Sequence, residues 1–215
     1  DPNGAALTTT YTYDKASRLT DTENAAGLIT HTDYDDASRP IATIVDPGGE
    51  AITTQTVYNP NGSVWKTIDP EGRITERQYD RAGRLWKVIA PGGATTTYWY
   101  DLNSQLIKTT DPDGVVTEMA YDLMGRQTDT FVDPVGENIH TETVYDRLGR
   151  PTETINPRGY STTTQYDSAG RVWKITDAKS AVLTYGYDTA SRLTDVTDPL
   201  GSVTHTTYDA YSNAD

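Results

Sequence analysis

The chain has 215 residues, only 35% of them apolar, with fifteen tyrosines against a single phenylalanine, so the material for a thick two-sided core is missing. A formal charge of −13 excludes a nucleic-acid face, because phosphates demand a basic surface, and no run approaches the roughly 20 apolar residues that span a bilayer. The absence of cysteine removes disulfides, thiolate metal ligands and a thiol nucleophile together.

The first residues, Asp1-Pro2-Asn3-Gly4, do not resemble a signal peptide. From there the chain is one unit written ten times, marked by a tyrosine and a following acid or amide: Tyr13-Asp14, Tyr34-Asp35, Tyr58-Asn59, Tyr79-Asp80, Tyr100-Asp101, Tyr121-Asp122, Tyr145-Asp146, Tyr166-Asp167, Tyr187-Asp188 and Tyr208-Asp209. The tyrosines are separated by 21, 24, 21, 21, 21, 24, 21, 21 and 21 residues. A period of this size marks an array in which each unit covers its neighbour, so residues 1–215 read as one continuous array of about ten units and a segment of a larger protein. The series 24, 21, 21, 21 occurs twice, which suggests four hairpins to a larger turn.

Each unit opens on a strand that reads Thr-x-x-x-Tyr at Thr9, Thr30, Thr54, Thr75, Thr96, Thr117, Thr141, Thr162 and Thr204, with Leu183 as the exception. The even offset places threonine and tyrosine on one face. Odd positions carry His31, Glu76, Gln78, Glu118, Glu142 and Gln165, as a wetter face requires, although Val57, Trp99 and Val144 interrupt it. A turn follows, as in Asp80-Arg81-Ala82-Gly83-Arg84. Aspartate accepts the amide two residues on, and glycine supplies a left-handed residue. Serine replaces that glycine at Ser17, Ser38, Ser104 and Ser191, so those turns are expected to be strained or of another type, and Gly83→Val to cost more than Ser104→Val.

A second strand, such as Leu85–Ile89, Val64–Ile68 or Val172–Thr176, ends in Asp69-Pro70-Glu71-Gly72, Asp111-Pro112-Asp113-Gly114, Asn156-Pro157-Arg158-Gly159 or an equivalent turn. Three extra residues fall near Asp46-Pro47-Gly48-Gly49 and near Asp133-Pro134-Val135-Gly136. The fold class is therefore all-β: tandem hairpins of about 21 residues forming one coiled, spiral antiparallel sheet, since some twenty strands exceed the roughly ten an open sheet holds without curling. Equivalent tyrosines lie about 10 Å apart, too far to stack, so they cover second-strand residues such as Leu85 or Val172 with their hydroxyls toward adjacent turns. Trp65, Trp86 and Trp173 share one position in the second strand and form a separate aromatic row.

The string Tyr-Asp-x-x-Gly-Arg-Leu, followed by Asp-Pro-x-Gly and Thr-x-x-x-Tyr-Asp, resembles the YD repeat of the Rhs family, which includes bacterial Rhs polymorphic toxins, the shell-forming components of insecticidal Tc toxins, and teneurins. The resemblance covers essentially the whole chain. It implies a large hollow β-shell which in the toxins encloses a cytotoxic polypeptide, with further YD repeats and an enclosed cargo as partners, and an extracellular or cell-surface location. Asn59 departs from the pattern, as do Ser63 and Gln105, which stand where arginine is usual, and the final unit stops at Ser212-Asn213 before its second strand. Asp198-Pro199-Leu200-Gly201 resembles part of the toxins' terminal cleavage signature but stands where every unit has a turn, and is read as one.

No catalytic, cofactor or metal residue is assigned. His31, His140 and His205 lack metal spacing; Asp111-Pro112-Asp113-Gly114 has Val115 where a calcium loop needs oxygen; and no Gly-x-Ser-x-Gly elbow occurs. Asn61-Gly62-Ser63 reads as a turn rather than a glycan acceptor. The repeat-defining residues thus read as structural, and the chain as a noncatalytic scaffold. An aromatic surface that binds a glycan in adhesion is the alternative, and a filament built by strand-to-strand addition is the third.

Overall fold

A computed structural model describes residues 8–133 and 135–209 as nineteen antiparallel strands in one open sheet that does not close on itself. Pro134, Asp1-Pro2-Asn3-Gly4 and Ser212-Asn213 lie outside the described residues. Consecutive strands pair, and each of the first nine units contributes one hairpin, the tenth a single described strand. Contacts divide the chain into two compact units, one running through Trp99 with Asp111–Asp113, the other holding Tyr100–Thr110 and the chain from Gly114 onward.

The first unit contains β1 (Thr10–Tyr13), β2 (Leu19–Glu23), β3 (Ile29–Tyr34), β4 (Pro40–Val45), β5 (Ile52–Tyr58), β6 (Val64–Ile68), β7 (Ile74–Tyr79), β8 (Leu85–Ile89) and most of β9 (Thr95–Tyr100). The second contains β10 (Leu106–Thr110), β11 (Val116–Tyr121), β12 (Gln127–Val132), β13 (Ile139–Tyr145), β14 (Pro151–Ile155), β15 (Ser161–Tyr166), β16 (Val172–Thr176), β17 (Val182–Tyr187), β18 (Leu193–Thr197) and β19 (Val203–His205). The one helical element among the described residues is a 3-10 turn at Pro91–Gly93.

Threonines set the pairing between hairpins. Thr30 faces Thr22, Thr54 faces Thr43, Thr75 faces Thr67, Thr117 faces Thr109, Thr141 faces Thr130 and Thr162 faces Thr154. Such β-branched pairs suit a pleated, half-exposed surface. Leu183, the exception in the sequence, lies opposite Ile175, so the row changes from hydroxyl to aliphatic on both strands together.

Inside the hairpin, strict alternation fails at the tyrosine. Tyr79 lies opposite Leu85 while Gln78 lies opposite Lys87, which leaves Trp86 as an extra residue, a β-bulge. The same slip recurs in seven further hairpins, and it places Trp65 and Trp173 at the bulge too. The tryptophan row is thus a row of bulge residues, each about two-fifths exposed, with the next lysine near its ring: Lys66 Nζ lies 4.0 Å from the Trp65 centroid. No described side chain is fully buried. The sheet holds together without a closed core.

The two 24-residue spacings are absorbed three ways. The strands on either side, β4 with β5 and β12 with β13, each gain a residue at that end, and only one is added to the connection. Asp46 and Asp133 there take φ of 55° and 49°, and Asp46 O and Asp133 O accept the amides of Gly49 and Gly136.

The serine-bearing turns correct the expectation of another turn type. Ser17, Ser38, Ser104 and Ser191 adopt φ of 61° to 65°, and their amides donate to the aspartate carbonyl as Gly83 does to Asp80, so all share one backbone frame. The frame dictates the left-handed residue, and a small polar side chain accepts the strain. Ser180 does the same at φ 66° in the Asp177 turn on the opposite sheet edge, beside Gly159 at φ 75°. Gly83→Val and Ser104→Val are therefore both expected to lower the melting temperature, and Ser180→Gly to raise stability by roughly 1 kcal/mol in thermal denaturation followed by circular dichroism. A Ser104→Val protein as stable as wild type would count against the shared frame.

Candidate functional site

Nine of the ten tyrosines end the first strand of their hairpins and the following aspartate or asparagine opens the turn, so these residues singled out from the sequence occupy one place in each of the nine units; Tyr208 forms an isolated bridge, and the residues after Asp209 lie outside the described ones. The structure gathers them into a clasp between successive units, best seen at Asp167, Arg171 and Tyr187. Asp167 Oδ1 accepts the amides of Ala169 and Arg171, both at 2.9 Å, while Asp167 N donates to Arg171 O at 2.8 Å. Asp167 Oδ2 accepts from Arg171 Nε at 2.7 Å. The guanidinium, held flat by that bond, lies 4.5 Å from the ring centroid of Tyr187 in the next unit, and Nη1 reaches Ser191 Oγ at 3.1 Å. The Tyr187 hydroxyl returns to the earlier hairpin, donating to Val172 O at 2.7 Å.

The arrangement repeats. Arginine Nε to aspartate Oδ2 bonds of 2.6 to 2.8 Å join Arg18 to Asp14, Arg39 to Asp35, Arg84 to Asp80, Arg126 to Asp122, Arg150 to Asp146 and Arg192 to Asp188. Guanidinium carbons lie 4.3 to 4.9 Å above Tyr34, Tyr58, Tyr145, Tyr166 and Tyr208. Hydroxyls of Tyr34, Tyr58, Tyr79, Tyr121, Tyr145, Tyr166 and Tyr208 donate to Leu19, Pro40, Val64, Leu106, Gln127, Pro151 and Leu193, which open the second strand of the preceding hairpin. The hydroxyls thus stop at the first strand carbonyl rather than at the turn, because each ring crosses the single spacing between neighbouring strands and meets that carbonyl first.

Two units depart. Asn59 replaces aspartate where Ser63 replaces arginine, and Asn59 Nδ2 donates to Ser63 Oγ at 2.9 Å, so a neutral pair stands for a charged one. Gln105 keeps the reach but loses the charge, donating to Gly125 O at 3.2 Å. Beside it opens a shallow cleft of about 680 Å³, bounded by Gln105, Ile107, Tyr121 and Met124. The arginine's role escaped the sequence reading; its recurrence five residues after most of the tyrosines was the available signal.

The opposite sheet edge reuses the frame. Asp69 Oδ1 accepts the amides of Glu71 and Arg73, and Asp198 Oδ1 those of Leu200 and Ser202. Asp198-Pro199-Leu200-Gly201 is a turn like the others. In the Asp111 turn, Asp111 Oδ1 accepts the Asp113 amide.

The mid-strand face carries charge in cross-strand pairs. Lys66 reaches Glu76 at 3.5 Å and Lys108 reaches Glu118 at 3.1 Å. His31 and His205 sit on Asp21 and Asp195 at 2.6 and 2.7 Å, and His140 on Asp129 at 2.9 Å. Asp129, His140 and Glu142 together could hold a metal ion, their ligand atoms lying within 4.8 Å of one another.

Electrostatics follow the bonds. Amide donation from the arginine four residues on, with its guanidinium, holds Asp14, Asp80, Asp146, Asp167 and Asp188 below the ordinary carboxylate value of 3.8; for Asp35 and Asp122 the guanidinium bond comes first. A depressed folded-state value means that these groups stabilise the fold above 3.8 and lose that contribution as pH falls through the lowered values. The melting temperature is accordingly expected to fall below about pH 5 and to keep falling toward pH 3, and a flat profile in circular-dichroism melts over that span would contradict the clasp. Tyr187→Phe, which removes one hydroxyl from a backbone carbonyl, is expected to cost about 1 kcal/mol in chemical denaturation, and Tyr187→Ala considerably more.

Solved structures share this architecture at low identity. A TcdB2–TccC3–Cdc42 crystal structure matches with a TM-score of 0.78 at 15% identity, covering 96% of this chain and 12% of that one. A TcdB2–TccC3–TEV crystal structure matches at 0.79 and 16%, and a Photorhabdus luminescens Tc holotoxin pore at 0.77 and 16%, each again over 96% of this chain and 12% of the other. The chain therefore spans about an eighth of the length of these proteins. No curated protein matches it. The RHS repeat family model matches residues 13–51, 100–136, 145–182 and 174–202, and with the tyrosine, aspartate and arginine of those stretches locked into one recurring clasp, the chain belongs to the RHS repeat family.

Proposed function

We propose that the chain is a noncatalytic length of wall in a hollow Rhs-type β-shell around a polypeptide cargo, within a larger secreted or surface-located protein. One observation carries this reading: the side chains that define the repeat are spent on joining one unit to the next, the carboxylate on its own turn, the guanidinium on the following ring, the hydroxyl on the preceding strand. Groups so engaged are poorly placed to bind or turn over a substrate. The fold likeness to Tc toxin structures and the RHS family match support the shell, and the coil expected of so many twisted strands supports a curved wall. Further YD repeats are the immediate partners, since an open sheet ends in unpaired edges.

Electron microscopy of the protein that carries this array tests the proposal, together with protease digestion of a polypeptide expressed with it. Hollow particles with internal density, and a cargo that survives protease until the shell is denatured, are expected. Indefinite threads, or a cargo digested as fast as the free polypeptide, would overturn it. Monomers retained on a glycan array would favour the adhesive reading.

A further inference from the structure

Along the mid-strand face, charged residues meet opposite charge or a histidine between successive hairpins, as Asp21 with His31, Lys66 with Glu76, Lys108 with Glu118 and Asp195 with His205, or a neutral threonine, as Lys87 with Thr97, Glu153 with Thr163 and Lys174 with Thr184. One pair breaks the pattern. Asp129 on β12 lies in register with Glu142 on β13, two carboxylates directly opposite, a placement that destabilises a sheet. His140 stands two residues before Glu142 and so on the same face of β13, with Nε2 2.9 Å from Asp129 Oδ1. Its ring is stacked on Phe131, with centroids 4.2 Å apart and planes 3° from parallel, which sets the direction of the imidazole. In register around the group stand Ala120 and Glu118 on β11 and Ile155 on β14, and the nearby Lys108 is held by Glu118.

The repeat does not demand these residues. At the other 24-residue spacing the equivalent positions are Ala42, Thr53 and Gln55, which offer no carboxylate and no imidazole. Scaffold therefore explains the hairpin but not the constellation.

We propose that Asp129, His140 and Glu142 form a site for a divalent transition-metal cation, with Zn²⁺ the best match. One imidazole and two carboxylates are ligands that Zn²⁺ accepts at about 2.0 to 2.2 Å, and small side-chain rotations bring ligand atoms already within 4.8 Å to that sphere, water completing it. The cation neutralises the opposed carboxylates and ties β12 to β13 beside the longer connection at Asp133. Its function is a brace on one hairpin of the wall.

Titration of chelator-stripped chain with ZnCl₂ in a calorimeter, repeated with MnCl₂, is the test. One Zn²⁺ per chain is expected, bound more tightly than Mn²⁺, with a metal-dependent rise in melting temperature. Glu142→Gln should weaken Zn²⁺ binding by roughly tenfold or more while leaving the metal-free protein at least as stable as wild type, because it removes the like-charge pair. That stability, read by circular dichroism, separates a lost ligand from a lost fold. His31→Gln, which removes a different histidine–carboxylate pair, should leave binding unchanged. Absence of Zn²⁺ binding, wild-type affinity in Glu142→Gln, or loss of binding in His31→Gln would each overturn the site.

Discussion

Sharing of one guanidinium between the carboxylate of its own turn and the tyrosine ring of the next unit is the constraint on which the remaining structure depends. Arg171 cannot bond Asp167 in plane and cover Tyr187 unless the two turns stand at a set distance and the second hairpin arrives in register. The backbone ladder supplies cohesion along the sheet, but a ladder alone tolerates slippage, particularly between threonine-rich strands of similar pattern. Individually, exposed ion pairs contribute little. Here each is tied to two backbone amides on one side and a ring on the other, so its geometry is paid for by the turn that exists anyway. With no described side chain fully buried, unit-to-unit fit of this kind takes the place that interior packing holds in globular domains.

Much of this was legible from spacing. The period named the hairpin, and the Asp-x-x-Gly turn with its side-chain-to-amide bond followed from turn chemistry alone, as Asp80, Ala82 and Gly83 show. Two features resisted for the same physical reason. Alternation is a test of phase, and a bulge changes phase without changing composition, so nothing in the composition marks Trp86 as the residue that the ladder skips between Leu85, opposite Tyr79, and Lys87, opposite Gln78. At the serines the expected strain is present but the turn type does not change, because residue type reports preference whereas the closed turn reports geometry: once Asp101 O accepts from Ser104 N, the φ of 65° at Ser104 is dictated by the ring of bonds. The metal-ligating group had no sequence signature in the ordinary sense, since it joins residues on different strands through the register, whereas the arginine of the clasp left its periodic recurrence after the tyrosines.

The departures show how the array tolerates change. At the Asn59 turn the acid and the base vanish together, and the asparagine–serine bond that replaces them leaves no lone charge at the sheet edge. Losing one member alone would strand the other against a ring or a cluster of amides, which is the costlier state. Gln105 is the intermediate case, keeping a donor to the neighbouring turn while surrendering the cation over the ring.

In an array whose units are built to be interchangeable, whatever recurs belongs to the wall, and individuality resides where the repeat is broken. By that criterion the opposed carboxylates of Asp129 and Glu142 carry more information than the ten tyrosines, for no other described pair between hairpins sets like charges against each other. A sheet that must grow by adding near-identical strands cannot diversify its ladder or its turns, but a mid-strand face position is free on every unit. Specific chemistry on such a wall is therefore expected on the face, one hairpin at a time, and not at the conserved-looking edge.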